Sequence, residues 1–146
     1  MTMLSNIDHA RCIHANAKAV DWLHGGKDKK EKESAKRYRS VTNSSAMQVR
    51  QVGLMQTAVF WMSKEQQERN LLKAVFEWLR CGEATTHWIW PNPAASGEIP
   101  ALMKEMLEFD SEILAMLDNE TVLYLSQLRR LVDGRFKHFY PEESES

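Results

Sequence analysis

The chain has 146 residues, 43% of them hydrophobic and 27% charged, a composition that suits one soluble globular domain with a core of its own. It holds no apolar run of the roughly 18 residues a transmembrane helix needs, and the opening MTMLSNIDHA lacks the basic and apolar regions of a signal peptide, so a cytoplasmic protein is expected. The net charge of −1 conceals a split, with 14 Lys/Arg against 8 Asp/Glu in residues 1–82 and 5 against 12 in residues 83–146. Such a split fits an anionic partner for one part of the molecule, contact between the acidic region of one copy and the basic region of another, or two halves mixed on one folded surface.

Strand signals are scarce and the 3.6-residue period is frequent, which predicts an all-α protein. A first helix is expected over about Ile7 to His24, with Asn6 as N-cap, an apolar stripe of Ala10, Ile13, Ala17 and Val20, and Gly25-Gly26 as its end. Lys27 to Arg39 opens as a charged connection and becomes helical from about Glu31, carrying Ala35, Tyr38 and Val41. Asn43-Ser44-Ser45 is expected to break that helix and cap the next.

The next stretch, VRQVGLMQTAVFWMSK from Val49 to Lys64, is apolar on most of its circumference, which predicts a helix surrounded by others. Gly53 inside it lowers helix propensity by about 1 kcal/mol relative to Ala. Its presence predicts close approach of a neighbouring helix or of another chain. A helix over about Gln67 to Arg80 follows, with Leu71, Leu72, Val75, Phe76 and Leu79 inward. Residues 83–99 read as an irregular connection. Within it HWIWPNP, His87 to Pro93, offers two tryptophans that either fold back over the core or anchor a protein partner.

Pro100 suits the first turn of the next helix, which carries Leu102, Met103, Met106 and Leu107 and continues to Leu117 unless Asp110-Ser111 breaks it. The last helix is expected from Asp118 or Asn119, with Val122, Leu125, Leu128, Val132 and Phe136 as its stripe. Five or six such helices make a compact bundle, one domain over residues 1–140, with PEESES, residues 141–146, as an acidic disordered tail.

No catalytic constellation is visible. The histidines are scattered, no HExxH or paired CxxC spacing marks a metal site, and no phosphate-binding glycine loop or G-x-S-x-G elbow occurs. No metal or cofactor is therefore expected, and Cys12 and Cys81 are expected as reduced, packed thiols. The positive signal is electrostatic. Lys27 to Arg39 holds seven cations against three anions, with Lys36, Arg37 and Arg39 around Tyr38. Arg50 and Lys64 stand near the two ends of the following helix. These residues can hold phosphates, with the tyrosine free to stack on a base. They can equally form a solvated connection with Tyr38 packed on the core. A second cluster, Arg129, Arg130, Arg135 and Lys137, suits nucleic acid or simply the C-terminal end of a helix dipole.

The segment AKRYRSVTNSSAMQVRQVGLMQTAVFWMSK resembles the signature region of the small subunit of type III-B CRISPR effector complexes, the Cmr small-subunit family. The residues carrying the resemblance are Arg37-Tyr38-Arg39, Gly53-Leu54, Gln56-Thr57, Ala58-Val59-Phe60 and Lys64, with FEWLR, Phe76 to Arg80, similar to the family's following helix. Ala46 and Val52 stand where the family often has proline and asparagine.

The resemblance implies a helical, non-catalytic subunit. Several copies would stack head-to-tail along larger backbone subunits, beside a polymerase-like subunit, and help hold the guide RNA–target RNA duplex. On that reading Lys36, Arg37, Arg39, Arg50 and Lys64 line the groove, with Arg129 and Arg130 as second choices. A protein-only helical adaptor is the alternative.

Overall fold

The structure, a computed structural model, describes residues 3–80, 90 and 97–143. Among these residues there are five α-helices and no strand, in agreement with the all-α reading: α1 (Met3–Trp22), α2 (Lys29–Met62), α3 (Gln66–Arg80), α4 (Ile99–Met106) and α5 (Ser111–Phe139). The long helices α2 and α5 pair most extensively, α1 lies against α5, and α3 lies against α2. No helix among the described residues is long and apolar enough to cross a membrane.

α1 buries a different face from the one its larger apolar residues mark. Ala15, Ala19 and Leu23 face the core, while Ile13 and Val20 are exposed. The buried face works because two alanines keep the helix close and Arg11 is neutralised there. The Arg11 guanidinium donates to both oxygens of Glu120 on α5, at 2.6 and 2.9 Å, and the Trp78 indole donates to Glu120 Oε2 at 2.9 Å. A buried ion pair is tolerated only with such complete hydrogen bonding. Helix α1 also begins before Asn6, which lies within it and is not its cap.

α2 starts at an Asp28 N-cap, whose side chain accepts from the Glu31 N–H at 2.8 Å. The break expected at Asn43-Ser44-Ser45 is absent. The side chains there bond backwards along the helix: Thr42 Oγ1 donates to the Tyr38 carbonyl at 2.8 Å and Ser45 Oγ to that of Thr42 at 2.9 Å. The helix absorbs these polar groups without unwinding.

The break falls at Gly53 instead, with φ 84° and ψ 164°, a conformation essentially reserved for glycine. A Cβ at Gly53 would lie 3.4 Å from Asp118 Oδ2, an ordinary contact. The glycine is therefore required by its backbone angles, and the expected close approach of a neighbour is not the reason for it. Asp118 of α5 accepts the Leu54 N–H at 2.9 Å and so caps the restarted helix from across the interface. Beyond the kink Leu54, Ala58 and Trp61 are buried, but Val59 is 57% and Phe60 47% exposed. The segment is thus not surrounded by helices; one apolar face meets solvent.

In α3 the expected inward residues Leu71, Leu72, Val75, Phe76 and Leu79 are all buried. Asp110 breaks the chain between α4 and α5 and caps α5, accepting from the Ile113 N–H at 2.9 Å. The last helix accordingly begins at Ser111, one turn and more before Asp118 or Asn119, and keeps Val122, Leu125, Leu128, Val132 and Phe136 buried.

Trp90 is fully buried and meets Phe76 and Phe109 edge-on; the rest of the HWIWPNP stretch, like Cys81, lies outside the described residues. After α5 the tail opens as a 3-10 turn, Pro141–Glu143, where disorder was expected from Pro141 onward.

Candidate nucleic-acid interface

A continuous α2 changes what its cations can do together. Lys36, Arg39, Asn43, Met47 and Arg50 recur at three- and four-residue spacing and so share one face. At 1.5 Å per residue that face runs about 21 Å from Lys36 to Arg50. The opposing wall is α5. One cleft of about 370 Å³ is lined by Lys36, Arg39, Ser40, Asn43, Phe136 and Glu143. The next, about 420 Å³, shares Asn43 and brings Arg50 of α2 together with Ser126, Arg129, Arg130 and Asp133 of α5. A third reaches Gly53 and Asp118 and shares Arg50. Together they form a groove along the α2–α5 seam, with five cations against two carboxylates in the first two clefts.

The cations differ in how far they are committed. Arg39 is used by the fold: its Nε donates to Asp133 Oδ1 at 2.9 Å and its guanidinium lies 4.7 Å over the Phe136 ring. Burial alone would raise the Asp133 carboxyl. The hydrogen bonds from Lys137 and Arg39, with the charges behind them, outweigh it and hold Asp133 below its ordinary value. Arg129 donates to Asn43 Oδ1 at 3.2 Å, linking the two walls, and makes no ion pair among the described residues. Arg50 and Arg130 are exposed and make no ion pair among the described residues.

Two of the residues selected from the sequence lie elsewhere. Arg37 turns toward α3, where its guanidinium grips both oxygens of Glu68, at 3.2 and 2.5 Å. Glu68 is only 4% exposed, so this pairing neutralises a buried carboxylate. Lys64 stands past the kink and the end of α2, with its ammonium 4.4 Å over the Phe60 ring. Tyr38 is not available for stacking on a base. It is buried, lies parallel to Trp22 at 4.7 Å, and its hydroxyl accepts from Asn70 at 2.7 Å.

Asn43, Ser126 and Asp133 went unnoticed in the sequence. The stripe through Lys36, Asn43 and Arg50 would have revealed the first, had the helix been read through residues 43–45. Among the described residues no three His, Cys, Asp or Glu side chains gather as metal ligands would. His14, the most buried histidine among the described residues, shares a hydrogen bond of 2.8 Å with the Tyr124 hydroxyl and packs on Trp78.

The family model described as CRISPR-associated protein (Cas_Cmr5) matches residues 14–135. The chain belongs to this family. It is that of the small subunit of the type III-B CRISPR complex, so the protein is a CRISPR-associated Cmr complex subunit. Comparisons with curated proteins and with solved structures gave no match. The matched residues take in α2 through most of α5, with both groove walls, and stop before Phe136 and the turn that carries Glu143.

Proposed function

We propose that this chain is a non-catalytic small subunit that lines the path of the guide RNA–target RNA duplex in a cytoplasmic type III-B complex and stacks there in several copies. The observation that carries the reading is the convergence of Arg50, Arg129 and Arg130 in one cleft, with Lys36 and Arg39 in line along the same seam. Guanidinium groups in such a row hold phosphate oxygens through charge and paired N–H donors. Among the described residues five cations line the first two clefts of the groove, and the Asn43 carbonyl oxygen is taken by Arg129, so we assign the contact to backbone and shape while the guide supplies sequence. Arg37 is assigned to the fold rather than to RNA, and Lys64 lies outside the groove. Cleavage and signalling fall to other subunits.

The apolar residues exposed at and beyond the kink, Val52, Val59, Phe60 and Met62, support a protein contact. We assign them to neighbouring copies or to the larger backbone and polymerase-like subunits. They also favour the second reading, a protein-only adaptor.

The two readings separate in a reconstituted complex carrying Arg50→Gln, Arg129→Gln and Arg130→Gln. Target-RNA retention should weaken alike for every guide–target pair, and the slope of log affinity against log salt should become shallower by about 0.9 or less for each phosphate contact removed. An unchanged slope with normal assembly would leave the adaptor. Loss confined to particular sequences would contradict backbone contact.

A further inference from the structure

Outside the residues matched by the family model, the chain bends back onto the groove. Tyr140 ends α5 with its N–H on the Phe136 carbonyl at 2.8 Å, and its buried hydroxyl donates to the Gly26 carbonyl at 2.7 Å. That anchor fixes where the tail leaves the bundle. The 3-10 turn then closes with the Glu143 N–H on the Tyr140 carbonyl at 3.0 Å. The turn delivers the Glu143 carboxylate into the cleft of Lys36, Arg39, Ser40 and Asn43, 2.9 Å from Lys36 Nζ.

We infer that Glu143 occupies a phosphate position at the outer end of the groove and competes with RNA for Lys36. The inference rests on the groove reading above and adds a regulation to it. In the free chain both cations of this cleft are engaged, Lys36 by Glu143 and Arg39 by Asp133. Arg50 and Arg130, further along the seam, make no ion pair among the described residues. The groove is thus half closed to anions and half open.

In the Lys36–Glu143 pair the lysine side chain is 51% and the glutamate side chain 33% exposed, and ion pairs open to solvent are weak enough for a phosphate to displace. The hydrogen bond from Lys36, and then its charge, hold the Glu143 carboxyl below its ordinary value, so it stays ionised at neutral pH. An RNA that reaches the open arginines and extends along the seam releases the tail and gains Lys36. Stray, short or weakly held anions do not. The tail therefore raises the threshold for RNA engagement by the unassembled subunit.

The test is an NMR titration of the full chain with a short RNA duplex, which reads weak affinities, on wild type, Glu143→Gln, Glu142→Gln, Lys36→Gln, Arg50→Gln and the Lys36/Glu143 double variant. Glu142 is exposed and makes no ion pair among the described residues, so its variant carries the same change in net charge without freeing Lys36. Glu143→Gln should strengthen binding, and one added phosphate contact makes the gain about 3-fold larger at roughly 50 mM than at roughly 200 mM salt. Glu142→Gln should bring much less. Lys36→Gln should weaken binding more in the Glu143→Gln background than in wild type.

Equal effects of the two glutamate variants, or an inert Glu143→Gln while Arg50→Gln still weakens binding, would overturn the tail alone. Absence of salt-dependent binding in every variant, Glu143→Gln included, would sink the groove and the tail together.

Discussion

Replacing Gly53 with alanine tests the kink at which the groove's third cleft ends. Two effects oppose each other. Alanine restricts the unfolded chain and so stabilises by about 0.4–1 kcal/mol wherever its native angles are compatible. Here they are not: φ 84° and ψ 164° lie where a side chain adds about 1–3 kcal/mol of strain. Space is not the issue, since the new Cβ would only touch Asp118 at 3.4 Å.

The variant could escape strain by straightening α2 into one helix. That would forfeit the Leu54–Asp118 hydrogen bond and draw Leu54, Ala58 and Trp61 out of the core, a loss larger than the strain it relieves. The expected net effect is a destabilisation of about 1–2 kcal/mol. In a urea titration it would appear as a lower midpoint at unchanged slope. In a chain of this size it lowers the melting temperature by about 2–4 °C per kcal/mol. A Gly53→Ala protein more stable than wild type would mean that α2 is a continuous helix in solution, and the reasoning about the kink would fall.

Removing Glu120 should be severe: Glu120→Ala leaves the Trp78 indole N–H buried without its acceptor and takes from the Arg11 guanidinium its buried partner, leaving it the exposed Asp8 carboxylate at 2.5 Å. A loss of about 3–5 kcal/mol in chemical denaturation is expected, and one below about 1 kcal/mol would show the pair to be solvated. Arg37→Gln should lower the melting temperature, because it strands the buried Glu68 carboxylate, while leaving the salt slope of RNA binding unchanged; a shallower slope would return Arg37 to the groove.

His14 is expected to make stability pH-dependent. Burial first, and the charge of Lys18 second, outweigh Glu77 and lower its pKa below the ordinary histidine value. The unfolded chain then takes up a proton that the folded chain refuses, so stability is present above that value and falls as pH drops through it. His14→Gln should flatten the decline between about pH 7 and pH 5, and an unchanged decline would assign it to other groups.

Much of the fold was legible because burial repeated at a helical period. The inward residues of α3 and the stripe of α5 are the ones periodicity selects, since each helix has a single strongly apolar face. α1 was not legible in this way. Its larger apolar residues, Ile13 and Val20, lie on the outer face. The inner face is chosen by Ala15, Ala19 and an arginine whose burial depends on Glu120, more than a hundred residues away in the chain. Likewise the local preference of Asn43-Ser44-Ser45 for a cap was overridden once the hydroxyls of Thr42 and Ser45 found carbonyls one turn back.

The candidate site divides along the same line. The sequence by itself determined an all-helical chain, the supply of cations between Lys36 and Arg50, a second supply at Arg129 and Arg130, and the family signature across the central segment. These depend on residue types and short-range spacing, which the chain carries without folding. Only the tertiary structure decided which charges are free to meet a partner. Arg37 is consumed by Glu68 and Arg39 by Asp133, Tyr38 is stacked beneath Trp22, and Arg50 joins Arg129 and Arg130 across the α2–α5 seam. The physical reason is that an exposed cation and a neutralised one have the same letter. The difference lies in a carboxylate brought within hydrogen-bonding distance from another helix, which no local pattern encodes.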